Sequence, residues 1–248
     1  MEQTITVTTP DGPMQTFVVL PDERPNDGPL PALLVIQEAF GVNNHIKNVC
    51  RRVASQGYAA FAPELFHRVG DGVDLPYDDF SKVMPTFTTL TNEGLLTDVK
   101  AALAAMHGDS RVDGTRVGVI GFCVGGFTAF LTAEHTDVAA SVAFYGGGIV
   151  KERPGIKLTP LLGDVASIKR PLLLVFGGLD QSIPNTDIDA IQDALSTHEK
   201  EHTIVVMPEG GHGFACDDRA AYHQPSADDA WRITFEWLNR HLKSGGHC

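Results

Sequence analysis

The sequence predicts an α/β fold with a mainly parallel central sheet flanked by helices on both faces. Three observations carry that expectation. Continuous apolar runs such as Ala32–Ile36, Tyr58–Ala62, Pro171–Gly177 and Thr203–Met207 lack polar alternation, as strands covered on both faces do. Segments with apolar residues at helical spacing lie between them. One run, from Arg116 to Phe127, passes from branched apolar residues straight into a glycine-rich turn and then a helical pattern. The chain has 248 residues, enough for one large domain, expected over 1–248 without an interdomain linker.

Taken in order, Thr4 to Leu20 reads as a hairpin, with Pro10-Asp11-Gly12 as its turn. Pro21 to Pro31 is a polar loop, and Ala32–Ile36 is the first buried strand. Ile46, Val49, Cys50 and Val53 recur at helical spacing, so Cys50 is expected in the core, and Gly57 ends that helix. Tyr58–Ala62 is the next strand. Residues 63–90 break the strand–helix rhythm. They hold Phe66, His67, Tyr77, Phe80, Met84 and Phe87, a density that suggests a partial lid over a site. Leu95, Leu96, Val99, Leu103 and Met106 mark a helix that stops at Gly108. The Arg116 strand and its helix follow, then a strand over Val138–Tyr145 and a second excursion over Ile149–Lys169. The strand Pro171–Gly177, a helix from Thr186 to Leu195 and the strand Thr203–Met207 complete the sheet. A last helix carries Trp231, Phe235, Leu238 and Leu242 on one stripe, and 244–248 is expected to be a flexible tail.

Composition narrows the partners. Hydrophobic residues make up 43% and charged residues 20%, as in ordinary globular proteins. The formal net charge of −12 argues against a nucleic-acid backbone as partner. No basic cluster or long apolar run points to a membrane. The first residues lack the features of a signal peptide, and the irregularly spaced Cys50, Cys123, Cys216 and Cys248 suggest reduced thiols, so a cytoplasmic location is expected. The 10 His form no H-E-x-x-H, and no C-x-x-C occurs, so neither a metal nor another cofactor is expected. A monomer or small homo-oligomer acting on a small molecule is the expectation.

The turn Gly121-Phe122-Cys123-Val124-Gly125-Gly126 has the form of a nucleophile elbow, G-x-Nuc-x-G, with a thiol at its centre. A free Cys near a buried strand is more often packing than chemistry. What favours chemistry is the company: Asp180 and His212 follow two later strands, each beside glycines. The chain order nucleophile, acid, histidine is that of the α/β-hydrolase fold. His212 can exchange a proton near neutrality, and Asp180 can orient it and stabilise its cation. The N–H groups of Val124 and Ala39 are the candidate oxyanion donors. Glu38, at the carboxyl end of the first buried strand, is a further candidate.

Gln37-Glu38-Ala39-Phe40-Gly41-Val42-Asn43, the Cys123 elbow, Phe144-Tyr145-Gly146, Gly178-Leu179-Asp180 and Gly211-His212-Gly213-Phe214 together resemble the dienelactone hydrolase (carboxymethylenebutenolidase) family, over nearly the whole chain. The resemblance implies hydrolysis of a small ester or lactone through an acyl-thioester on Cys123. It also implies that Glu38 lies beside the resting thiol and helps to deprotonate it once substrate binds. Phe40, Tyr145, Phe214, Cys216 and Lys82 are the candidate substrate contacts. Members acting on dienelactone hold its carboxylate with two arginines, one in the lid helix and one shortly after the histidine. Here Cys216 matches the second position, and Asp78–Thr91 contains Lys82 but no Arg; Arg68 and Arg219 stand nearby in sequence. A thioesterase or acyltransferase, a non-hydrolytic binding or sensing protein on the same fold, and a redox sensor using Cys123 and Cys216 are the other readings these residues allow.

Overall fold

The computed structural model describes residues 1–22 and 28–243; the tail at 244–248, with Cys248, lies outside the described residues. Among the described residues eight strands form one sheet: β1 (Glu2–Thr9), β2 (Gly12–Val19), β3 (Leu30–Ile36), β4 (Ala59–Pro63), β5 (Val112–Phe122), β6 (Ala140–Phe144), β7 (Leu172–Gly177) and β8 (His202–Met207). Their spatial order is β1-β2-β4-β3-β5-β6-β7-β8. β1, β2 and β4 pair antiparallel, and every pair from β4 through β3 to β8 is parallel. Every residue of β3, β4, β6 and β7 is buried, which is why those stretches read as unbroken apolar runs.

The helices are α1 (Asn44–Ser55), α2 (Phe80–Phe87), α3 (Asn92–His107), α4 (Val124–His135), α5 (Asn185–Thr197) and α6 (Gln224–Leu238). From β3 the chain first steps outward through α1 to β4. It then returns through α3 to β5 on the other side of β3 and continues through α4 to β6. Parallel crossovers are almost always right-handed, so this change of direction puts α1 on one face and α3 and α4 on the other. α6 joins α1, with the Arg52 guanidinium 4.9 Å from the Trp231 ring centroid. Phe235 stacks on Trp231 at 5.3 Å and is only partly buried, whereas Leu238 and Leu242 are in the core. Among the described residues no helix is long and apolar enough to cross a membrane.

Between β3 and β5 the winding reverses, and a crevice opens there at the carboxyl ends of the strands. Two packing features define it. A side chain at Gly121 would strike the carbonyl of Gly125, and one at Gly125 would strike the carbonyls of Ile36 and Gln37. Only glycine lets the start of α4 sit this close to the end of β3.

The segment over 63–90 is fastened at its base by charge. Asp98 on α3 is fully buried; its Oδ1 faces His67 Nε2 at 3.1 Å, and its Oδ2 accepts from Arg68 Nη1 at 2.7 Å. Arg68 also donates to Asp11 in the β1–β2 turn at 2.6 Å. Arg68 is therefore a structural residue, fixed away from the crevice. Beyond it, α2 and the preceding loop fold back toward the crevice.

Substituting Gly125 by Ala should lower the denaturation midpoint, by about 2–3 kcal/mol in stability or more. Gly163→Ala, where an added Cβ meets nothing within 4 Å, should be close to neutral. Equal midpoints for the two variants in chemical denaturation would contradict the packing described for α4.

Candidate active site

Cys123 follows β5 directly and has φ 56° and ψ −114°, a conformation that L-residues rarely adopt. Its N–H donates to the Phe144 carbonyl at 3.0 Å, and its carbonyl accepts from the Phe127 N–H at 3.1 Å. The strained residue is thus held by β6 on one side and by its own helix on the other. Its side chain is half-buried, with Sγ 3.2 Å from His212 Nε2.

His212 lies in the loop after β8, and its Nδ1 is 2.7 Å from Asp180 Oδ2. Asp180 reaches it because the loops after β7 and β8 are stitched together. The Gly178 N–H donates to the Met207 carbonyl at 2.7 Å and the Leu179 N–H to the Gly210 carbonyl at 2.8 Å. The other carboxylate oxygen of Asp180 accepts from the N–H and the hydroxyl of Ser182, at 2.8 and 2.6 Å. Asp180 is buried with both oxygens paired, which fixes the plane it offers to the imidazole.

These contacts set the protonation states. Burial opposes the His212 imidazolium, yet the Cys123 charge and the Asp180 hydrogen bond outweigh it and push the pKa up to about 10. Burial also opposes the Asp180 carboxylate, but the hydrogen bond and charge of His212, with the help of Ser182, hold its pKa below the usual value. Sulfur, imidazole and carboxylate thus stand in one line, each within hydrogen-bond distance of the next.

Val124 heads α4, and its N–H is among those that a helix N-terminus leaves without an intrahelical acceptor. Ala39 is buried in the loop after β3, and the close approach of Gly125 to Ile36 and Gln37 puts the two backbones side by side. Glu38 is buried, and its Oε1 accepts from Arg219 Nη1 at 3.4 Å. Among the described residues, then, the partner of Glu38 is Arg219 and the partner of the thiol is His212. The Arg219 guanidinium also lies over the Phe40 ring, 5.3 Å from its centroid.

Aromatic rings build the walls. Phe40 packs on Tyr77 at 4.5 Å and on Phe80 at 6.3 Å, which brings the segment over 63–90 to the edge of the site. Tyr145 meets the His212 ring edge-on at 5.4 Å and Phe214 at 5.5 Å. Cys216 is buried, with its thiol 3.6 Å from the Tyr77 hydroxyl. A narrow recess beside Cys123 is lined by Phe87, Val124, Arg153, Ile156 and Leu158. Lys82 is not drawn in. It stands on the exposed side of α2, paired with Asp79 at 3.2 Å, because the buried face of that helix is made by Val83, Thr86 and Phe87.

Two residues of this site, Ser182 and Arg153, were absent from the sequence reading, and a third, Arg219, stood there only as a sequence neighbour of His212 with no place in the site. Ser182 had a detectable signal, since Asp180-Gln181-Ser182 has the spacing of an Asx turn. Arg153 and Arg219 had none: each sits in an irregular loop, and only the folded chain brings it to the crevice. Arg153 is held there by a hydrogen bond from Nη2 to the Ser182 carbonyl at 2.8 Å.

Comparison with known proteins shows the family. The model of the dienelactone hydrolase family matches residues 14–242. The chain belongs to the dienelactone hydrolase family. A Methylorubrum extorquens protein provisionally named carboxymethylenebutenolidase is 37% identical, over 93% of this chain and 78% of its own. A Bradyrhizobium protein provisionally named 2-oxo-3-(5-oxofuran-2-ylidene)propanoate lactonase is 31% identical, over 87% of this chain and 86% of its own. A Klebsiella pneumoniae crystal structure, provisionally described as a dienelactone hydrolase, superposes with a TM-score of 0.87 at 30% identity, covering 97% of this chain and 98% of that one. Like the rest of this dienelactone hydrolase family, the protein is a hydrolase of the ester or lactone type on an α/β-hydrolase fold.

If the Cys123 charge holds the proton on His212, removing the thiol must release it. In Cys123→Ala the imidazole should titrate at least about one unit lower than the wild-type value near 10. Stability follows the same sign: the contribution from the raised pKa is complete below about 6.5 and vanishes as pH rises through about 10. Nitrogen-15 NMR of His212 across pH reads this directly, and identical midpoints in the two proteins would sink the coupling.

Proposed function

We propose that the protein hydrolyses a small, carboxylate-bearing ester or lactone through an acyl-thioester on Cys123, with His212 and Asp180 completing a triad. The observation that supports this best is the continuous line from Cys123 Sγ through His212 to Asp180, with hydrogen-bond distances of 3.2 and 2.7 Å. In the first half-reaction the sulfur attacks the carbonyl carbon. The oxygen that gains charge is received by the N–H groups of Val124 and Ala39. The C–O bond to the leaving group breaks, and that oxygen takes the proton carried by His212 Nε2.

Acylation changes the base. Once sulfur is bonded to the acyl carbon, the charge that kept His212 protonated is gone, and burial now favours the neutral ring. His212 can then take a proton from water as the water attacks the thioester carbonyl. Collapse of that adduct expels the thiolate, and the acid product leaves. Asp180 keeps the ring oriented in both halves, with Ser182 holding Asp180.

Two guanidinium groups support an anionic substrate. Arg219 lies against Glu38 and Phe40, and Arg153 lines the recess beside Cys123. A substrate carboxylate that pairs with Arg219 competes with Glu38 for it. Glu38 is then free to turn toward Cys123 and assist transfer of the thiol proton to His212, which delivers it to the leaving-group oxygen. The lactone named for the Bradyrhizobium relative carries such a carboxylate. Phe40, Tyr145 and Phe214 are proposed as apolar walls for the remainder of the substrate.

Two kinetic outcomes are expected. Cys123→Ala should lose about 10³-fold or more in kcat/KM on a reactive ester, whereas Cys123→Ser should keep a small residual activity. An alanine variant as fast as wild type would remove Cys123 from the mechanism. Arg219→Gln should lower kcat/KM for a carboxylate-bearing lactone by about 10- to 100-fold, as expected for losing a charge-assisted hydrogen bond. It should leave p-nitrophenyl acetate within about threefold. Equal losses on the two substrates would mean that Arg219 supports the fold and does not read charge.

A further inference from the structure

A second cluster of donor atoms lies behind the catalytic line. Glu38, His45 and Cys216 are all buried, and one donor atom from each falls within 4.8 Å of the other two. Two of the three residues also carry an orphan atom: among the described residues neither Glu38 Oε2 nor His45 Nε2 has a hydrogen-bond partner. A buried polar atom without a partner costs about 1–3 kcal/mol, so two within one cluster of residues need an explanation. The other nitrogen of His45, Nδ1, is 3.2 Å from Asp217 Oδ1. That contact keeps the Nδ1 proton toward the carboxylate and leaves a lone pair on the buried Nε2. A histidine held from behind by a carboxylate is the usual outer-shell arrangement of a metal-ligating imidazole.

We propose that Glu38 Oε2, His45 Nε2 and Cys216 Sγ form a binding site for a borderline-soft divalent ion, with Zn²⁺ the best fit. One thiolate, one imidazole and one carboxylate is a donor set that zinc accepts, with a fourth position left for water. Ligands of a tetrahedral zinc at 2.0–2.3 Å lie about 3.3–3.8 Å apart, so the widest gap must close by about 1–1.5 Å. Glu38 lies in the loop after β3 and Cys216 in the loop after β8, so small loop and side-chain adjustments can supply that. On binding, the S–H proton of Cys216 leaves to solvent and a Zn–S bond replaces it, with no change of oxidation state. Two anionic ligands, with Asp217 behind them, balance the dication and the neighbouring Arg219. Arg219 stays on Glu38 Oε1, which leaves Oε2 free to ligate. The ion would hold Glu38 at the edge of the substrate crevice and so inhibit turnover. That consequence, unlike the binding itself, rests on the proposed role of Glu38.

The test uses Co²⁺ as the probe and a Cys123→Ala/Cys248→Ser protein, so that the nucleophile and the terminal thiol cannot ligate. Cys50, the other thiol, is sealed in the core on α1. A thiolate-to-cobalt charge-transfer band should grow to one equivalent and be displaced by Zn²⁺. Adding Cys216→Ser should abolish the band. His45→Gln, and the more exposed Asp217→Asn, should each weaken the affinity about tenfold or more. Circular dichroism and thermal melting check that each variant is folded, and Asp217→Asn carries the test if the buried variants are not. Absence of the band would mean that a water satisfies the two orphan atoms, and would overturn the site. So would a band that survives Cys216→Ser, or an unchanged affinity in Asp217→Asn. Zn²⁺ inhibition of the wild-type esterase is measured separately. Cobalt binding without zinc inhibition upholds the site and refutes only the role given to Glu38.

Discussion

Everything in the crevice depends on one backbone residue being held where it does not want to be. Cys123 sits at positive φ, which costs an L-residue about 1–3 kcal/mol. Two hydrogen bonds from neighbouring elements pin it, and the bare surfaces of Gly121 and Gly125 let β5, α4 and β3 close around it. The same close approach puts the first N–H of α4 beside the loop after β3. The strain and the candidate oxyanion donors therefore come from a single packing decision, and a larger side chain at Gly125 would spoil both.

Around that point the molecule treats its buried carboxylates differently. Asp180 has both oxygens engaged, by His212 and Ser182, and so is held fixed against the ring. Glu38 is as deeply buried but holds only Arg219, through one oxygen. A carboxylate with a spare oxygen is poised for a second partner, be it the thiol, a water or a cation. Asp98 shows a third use: buried and fully paired with His67 and Arg68, it fastens the segment over 63–90 and takes no part in the site.

Much of this was legible in the chain. The unbroken apolar runs identified the parallel strands because strands covered on both faces have no solvent side to mark. The elbow, Asp180 and His212 were legible because each follows such a strand next to glycines, in the order of an α/β hydrolase. Glu38 and Ala39 could be chosen from their place at a strand end. The rims were harder. Lys82 was a reasonable candidate by charge, but α2 turns Val83, Thr86 and Phe87 inward and leaves Lys82 exposed. Arg153 and Arg219 come from loops without periodicity, and no local pattern says where such a loop will lay its side chains.

By itself, then, the sequence determined the fold class, the identity of the strained turn and the two side chains, His212 and Asp180, that line up behind it. These are properties of short segments, governed by backbone sterics and hydrophobic period. Only the tertiary structure decided that Arg219 pairs with Glu38, that Arg68 is spent on Asp98, and that His45 and Cys216 lie beside Glu38. Those pairings join residues as much as 181 positions apart. They depend on how loops close over a finished sheet, through long-range contacts that no local stretch of sequence encodes.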